Sequence, residues 1–218
     1  MSNGCRDRLS PREKRKLRVR EDILEAALDL FAEKGFYAVT MQEVAERAEV
    51  AVGTLYNFFE SKEDLYRRLV VEHGRKVFAC LRKQLASGPD DVLELLHQHI
   101  ATGWRQLSSD QRILKLFLTE TQGARFSVKV RLDPDLASDF ESLTDELAQV
   151  MERGIREGVL RPVGGRNLAL MLQGLLHSFF VEWLKNPEAE QADRNVDLIM
   201  DLFCHGALVQ RGAGDGQA

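Results

Sequence analysis

Gly53, Thr54, Tyr56, Asn57 and Lys62 fall within ten residues of one another, and their types suit one chemistry, contact with a polyanion. Gly53 lets the backbone approach a phosphate with no Cβ in the way. Thr54 and Asn57 are short polar groups able to reach base edges or phosphate oxygens. Tyr56 offers a rigid hydroxyl to a phosphate oxygen, though taken alone it also fits a core tyrosine. Lys62 adds a charge in the first turn of a helix, beside amides that already attract anions. Leu55 and Phe59, four residues apart, can hold the same stretch inward. Upstream, Thr40 and Gln42 are polar residues at the start of a helical pattern. Thr40 serves either as a DNA contact or as a cap and nothing else.

These residues need helices to carry them. Thr40 and Glu43 make a capping box, after which Val44, Ala45 and Ala48 face inward. A turn is expected at Glu49-Val50-Ala51, and a short helix over Val52–Phe58. Ser61 with Asp64 starts a long helix that carries Leu65, Leu69, Val77 and Leu81 and ends before Gly88-Pro89. Ahead of the pair, a first helix is expected from about Arg18 to Lys34, stopped by Gly35. Two short helices joined by a tight turn form a helix-turn-helix, whose second helix enters the major groove of DNA.

The rest of the chain is also helical by periodicity, with no sustained strand alternation. Further helices are expected over 91–107, 110–121, 134–157 (stopped by Gly158), 167–185 and 193–209. Gly123 to Asp133 and Asn186 to Ala192 read as loops, and Gly164-Gly165 as a loop pair and nothing more. The expected fold is all-α with about nine helices. It divides into a basic flexible arm (1–17), a helix-turn-helix DNA-binding domain (18–64), a second helical domain (65–210), whose ligand-binding and dimerisation role is implied only by family resemblance, and a disordered tail (211–218).

With 44% hydrophobic and 29% charged residues, the chain has the make-up of a globular protein that buries a core. Its net charge of -4 conceals an asymmetry. The first 20 residues hold eight basic against two acidic side chains, and the remainder 22 against 32. A basic end on an acidic body suits a protein that touches phosphate at that end. Cys5, Cys80 and Cys204 are far apart and form no Cys-x-x-Cys pair. That argues against a disulfide framework or zinc site and fits a reducing cytosol. No secretory signal is read at the amino terminus, and the most apolar run, Leu168 to Leu184, is too interrupted to span a membrane. A cytoplasmic location follows, and neither a metal nor a cofactor is expected.

Over Ile23 to Leu69 the sequence resembles the tetracycline-repressor (TetR) family of bacterial transcription regulators. The residues that carry the likeness are Ala27, Leu30-Phe31, Gly35-Phe36, Thr40, Val44-Ala45, Gly53-Thr54-Leu55-Tyr56, Phe59, Ser61-Lys62-Glu63 and Leu65. The resemblance implies an all-helical homodimer with an N-terminal DNA-binding domain and a variable helical ligand-binding domain. It also implies that Thr40, Gln42, Gly53, Thr54, Tyr56, Asn57 and Lys62 contact DNA. Two positions depart from the family pattern. Ala51 stands where Ser or Thr usually caps the recognition helix, and Phe58 where His or Tyr is common. The Phe58 ring either packs on a thymine methyl or sugar, or folds inward.

By the same resemblance the last two helices build a four-helix dimer interface. Leu172, Leu175, Phe179, Trp183, Ile199 and Phe203 are the candidates for it. The 168–184 helix is apolar nearly all round, more than one buried face requires. Two-fold symmetry then predicts a roughly palindromic operator. Trp104, Phe117, Phe126, Met151 and His177 are candidates to line a pocket for a small, largely apolar effector, with Glu120 and Glu182 as counter-charges for a cationic one. Each also fits plain core or surface. His97 and His99, two apart on a helix, point away from each other and make no metal pair.

The function expected is a ligand-responsive repressor, with an activator or ligand-independent regulator of the same fold as the alternative. An enzyme is not expected. The chain lacks a Gly-x-Ser-x-Gly elbow, a His-Glu-x-x-His pair, a Walker loop and a Gly-x-Gly-x-x-Gly fingerprint after a strand.

Overall fold

The structure, a computed structural model, describes residues 10–113, 134–183, 185 and 190–208. All the regular elements among these are helices. They are α1 (Pro11–Lys34), α2 (Met41–Arg47), α3 (Val52–Tyr56), α4 (Lys62–Ser87), α5 (Val92–Ser108), α6 (Pro134–Arg156), α7 (Gly165–Trp183) and α8 (Glu190–Ala207). Two compact units result. One holds the chain up to Gly74 together with the stretch from Asp110. The other holds Arg75–Ser109 and continues from Pro134. The division falls inside α4 rather than at the expected 64/65 boundary, and the segment after α5 belongs with the first unit.

In the first unit, α1 presents Ile23, Ala27, Leu30 and Phe31 to Val44 and Ala45 of α2, Leu55 of α3 and Leu65 of α4. Gly35 ends α1 as expected, at φ 78°, with its amide donating to the Phe31 carbonyl at 2.9 Å. The start of α1 departs from expectation. Residues 11–17 are helix, not a flexible arm, because Ser10 and Glu13 form a capping box around Pro11 in the first turn. That arrangement is a strong helix start, hidden in the sequence by the surrounding basic residues.

The helix-turn-helix turn follows the expected residues. Glu49 takes φ 53° and the Val50 amide donates back to the Ala45 carbonyl at 2.9 Å. The third helix is shorter than expected, ending at Tyr56 with Asn57 as its C-cap. Ala51 caps α3 with no side-chain hydrogen bond. Ala51→Ser is therefore expected to stabilise this unit by about 1 kcal/mol, read as a rise in denaturation midpoint at unchanged m-value.

In the second unit, α6 and α7 pack closely around Gly165. The structure overturns the reading of Gly165 as a mere loop residue. It opens α7, its amide donates to Glu152 Oε1 at 2.5 Å, and an added Cβ would lie 2.4 Å from the Ala148 carbonyl oxygen. Gly165→Ala is expected to cost about 1–3 kcal/mol through this backbone clash; thermal unfolding of the variant checks it.

On α5, His99 is buried and its Nδ1 lies 3.0 Å from Gln84 Oε1, while His97 meets Asp197 at 3.1 Å. The two histidines point apart as expected. Burial pushes His99 down to about 4. Its folded value is thus below the unfolded one, near 6.5. The unfolded chain takes up the proton first, so stability falls as pH drops from about 6.5 to about 4. A His99→Gln variant should lose that part of the pH dependence, measured by denaturation at stepped pH.

Candidate nucleic-acid interface

The residues expected to meet DNA fall into two groups. Gln42, Gly53, Tyr56 and Asn57 are exposed, Tyr56 at 51%, and Thr54 is half-buried beside them. Beneath them Leu55 and Phe59 are fully buried, so α3 is pinned to the core and shows its polar side outward. Gly53 is the most telling. A Cβ placed on it would meet nothing within 4 Å, and its φ is ordinary. Nothing among the described residues calls for glycine there.

Thr40 is exposed and caps α2. Its hydroxyl donates to Glu43 Oε2 at 2.9 Å and accepts from the Glu43 amide at 3.2 Å. The same Glu43 receives Lys34 at 2.7 Å, and these bonds hold its carboxyl down at about 2. The cap therefore persists until pH falls well below the usual carboxylate range.

Lys62, also expected to meet DNA, is engaged within the fold. Its ammonium donates to the carbonyls of Phe36 at 2.8 Å, Val39 at 2.9 Å and Tyr37 at 3.4 Å, and sits 4.5 Å from the centre of the Phe36 ring. Three bonds use all three ammonium protons, so Lys62 ties the α1–α2 loop to α4 and is not a free cation. The strap holds out Tyr37, which is 95% exposed, its ring edge-on to Phe36 at 5.4 Å. Sequence reading missed Tyr37. An aromatic residue placed just before a helix cap, with no partner at helical spacing, was the available signal.

Phe58 folds against the core rather than outward. It is half-buried and lines a groove of about 430 Å³ with Asn57 and with Glu13, Lys16, Leu17 and Arg20 of α1. Arg112, just after α5, joins Asp110 at 2.6 Å, Asp29 at 2.5 Å and Glu25 at 2.8 Å. Its guanidinium holds the Asp110 carboxyl below the ordinary range. Asp29 also lies 3.8 Å from Arg47 at the end of α2, and Ile113 packs on the same core.

Residues 23–69 match the family model for bacterial regulatory proteins of the tetR family. Over that segment the chain is similar to the tetR family. The first unit, the head, carries the matched residues, which include every expected contact. Among curated relatives, a transcriptional repressor, KstR2 of Rhodococcus jostii, is 26% identical over 144 residues, covering 65% of this chain and 68% of its own. A transcriptional activator, FasR of Mycolicibacterium smegmatis, is 26% identical over 196 residues, covering 86% of this chain and 80% of its own. The fold as a whole resembles the crystal structure of the regulator FadR of Bacillus subtilis in complex with stearoyl-CoA. That likeness has a TM-score of 0.70 at 20% identity and covers 85% of this chain and 98% of the other.

The remaining expected residues lie beyond the head. Phe117, Phe126 and Glu120 fall outside the described residues. Trp104 and Met151 are buried. Trp104 packs edge-on to Phe180 at 5.3 Å and to Trp183 at 5.6 Å, and its indole N–H is buried with no hydrogen-bond partner among the described residues. His177 is exposed, five residues past buried Leu172 and so turned about 140° away on the helix; it does not line the interior. Glu182 is exposed and paired with Lys185 at 2.5 Å, so it is no interior counter-charge.

The interface candidates divide likewise. Leu172, Trp183, Ile199 and Phe203 are buried in the core of their own unit and are not available to a partner. Leu175 and Phe179 are half-buried. The outward apolar residues of α7 and α8 are instead Leu170 (48% exposed), Leu198 (45%) and Leu202 (43%). A helix apolar nearly all round does not say which face the protomer uses itself; the packing of α7 and α8 does. No group of three metal-binding side chains occurs among the described residues, and no described helix is long and apolar enough to cross a membrane.

Proposed function

We propose that this chain is a regulator of the tetR family, a ligand-responsive transcription repressor that binds a palindromic operator as a homodimer and is released by a small, largely apolar effector. The observation that carries the DNA-binding part is the outward face of α3, where Gly53 serves no internal need beside exposed Tyr56 and Asn57. In this reading Gly53, Thr54, Tyr56 and Asn57 meet the duplex, with Gln42, Thr40 and Tyr37 on the flanking backbone. Leu170, Leu198 and Leu202 form the apolar stripes that a second copy covers, with Leu175 and Phe179 at their margins.

The effector reading rests on the aromatic group of the helical body. The buried Trp104 N–H, unpaired among the described residues, is a donor waiting for an acceptor within an apolar surround. An apolar ligand ending in a carbonyl or carboxylate supplies one. Long acyl chains are the first class to test, since the FadR crystal structure is a complex with stearoyl-CoA. Three covalent links lead from body to head: α4, the Ser109–Asp110 step and the Asp133–Pro134 step. Through the second, the Arg112 ion pairs reach Asp29, which Arg47 of the helix-turn-helix also approaches. An effector shifts the DNA-bound population only by binding the DNA-incompetent state better.

The chain's two tryptophans both lie in this aromatic group. Titration with stearoyl-CoA, followed by tryptophan emission and by release from bound DNA, therefore tests both halves at once. Coincident changes support the reading; release without an emission change removes the Trp104 site. Because FasR is an activator, the sign of regulation has a second reading. A reporter that falls on deletion of the regulator would favour activation.

A further inference from the structure

We propose that the exposed opening turns of α1 carry a basic ridge, centred on Arg12 and Lys16, that grips the sugar–phosphate backbone beside the bases read by α3. The inference rests on the DNA-binding reading above and extends its footprint. α1 is 24 residues long, about 36 Å, yet its buried residues begin only at Ile23. Residues 11–18 are all exposed. They contain Arg12, Lys14, Arg15, Lys16 and Arg18 against the single carboxylate of Glu13. A helix has no core-packing reason to extend so far past its domain.

Cations near the beginning of a helix also oppose the macrodipole. The sequence therefore places charge where it weakens the free helix, and among the described residues the Ser10–Glu13 box and Pro11 offset it. An anion lying along the ridge turns that cost into attraction.

Direction is set by Arg20. Its guanidinium pairs with Glu72 of α4 and lies 5.7 Å from the Phe59 ring centre, fixing that turn of α1 on the head. Lys16 and Arg12 follow one and two turns further out on the same face, four and eight residues away. Lys16 Nζ sits 5.8 Å from the Phe58 ring centre, and the groove there is closed by Asn57, the C-cap of α3. The ridge is thus continuous with the end of the recognition helix. None of Arg12, Lys14, Arg15, Lys16 and Arg18 has an ion-pair partner among the described residues, whereas most other arginines of the head do. Positive charge left free beside a DNA-reading helix matches a duplex better than any other polyanion.

The test uses the full chain and a mixed-sequence duplex about three helical turns long. Wild type is compared with Arg12→Gln/Lys16→Gln. A control, Lys83→Gln/Arg156→Gln, removes the same charge from exposed sites of the other unit. Losing two contacts per protomer, four per dimer, should make the slope of log affinity against log salt shallower by about three to four. Affinity near physiological salt should fall roughly tenfold or more. The control pair should change neither, and the ridge variant's far-UV dichroism and unfolding midpoint should hold or rise. An unchanged slope overturns the ridge while leaving the α3 reading intact. An equal loss in the control reduces it to net charge. Loss of binding to phosphatidylserine vesicles alone would assign the ridge to membrane instead. Absence of wild-type binding to any duplex at low salt overturns the DNA reading itself.

Discussion

Gly53→Ala is expected to weaken DNA binding by at least about tenfold while leaving the head as stable as before, or more so. The two effects have opposite signs because they come from opposite sides of the residue. Inside the protein an added Cβ meets nothing within 4 Å, and exchanging glycine for alanine in a helix gains up to about 1 kcal/mol. Outside, if α3 meets the duplex as proposed, a methyl group on Gly53 holds the backbone away from the phosphate. Overpacking a tight contact costs about 1–3 kcal/mol, and 1.4 kcal/mol is already tenfold in affinity. Paired measurements of unfolding midpoint and duplex affinity give the answer. A variant that lost stability and affinity together would place the role of Gly53 inside the fold.

Lys62→Met should destabilise the head by about 2 kcal/mol, the scale of charged hydrogen bonds left unmade. The substitution keeps the aliphatic stem but abandons the carbonyls of Phe36, Tyr37 and Val39. Lys62→Arg should rescue it poorly, because a planar fork does not reproduce three bonds radiating from one nitrogen. Chemical denaturation reads the stability loss. The competing role, a direct phosphate contact, predicts unchanged stability and a salt slope shallower by about two per dimer. A strap predicts the reverse, with any loss of DNA affinity following from a loosened Tyr37–Thr40 loop.

Features written into neighbouring residues were legible in the sequence. Thr40 with Glu43, the stops at Gly35 and Gly158, and the inward pair Leu55 and Phe59 all depend on spacings of four or fewer, and the structure contains each. What eluded it depended on distance along the chain or on choice of face. The carbonyls that hold Lys62 lie 23 to 26 residues earlier, and no local pattern announces them. Arg112 answers Asp29 across 83 residues, which is why the segment after α5 was not assigned to the head. Gly165 owes its identity to the Ala148 carbonyl on another helix. On α7 and α8 the excess of apolar residues was visible, but not that the protomer core would take Leu172, Ile199 and Phe203 and leave Leu170, Leu198 and Leu202 outside. The start of α1 is the instructive exception. Ser10, Pro11 and Glu13 were in plain sequence, and the basic run around them drew the reading toward a flexible arm.

Selection of bound fragments from sheared genomic DNA by the purified full-length protein, followed by sequencing, tests the central claim most directly. The account predicts an enriched, roughly palindromic site whose half-sites are separated by a whole number of helical turns, about 10–10.5 base pairs each. A folded, dimeric protein that enriches no sequence at moderate salt would contradict it.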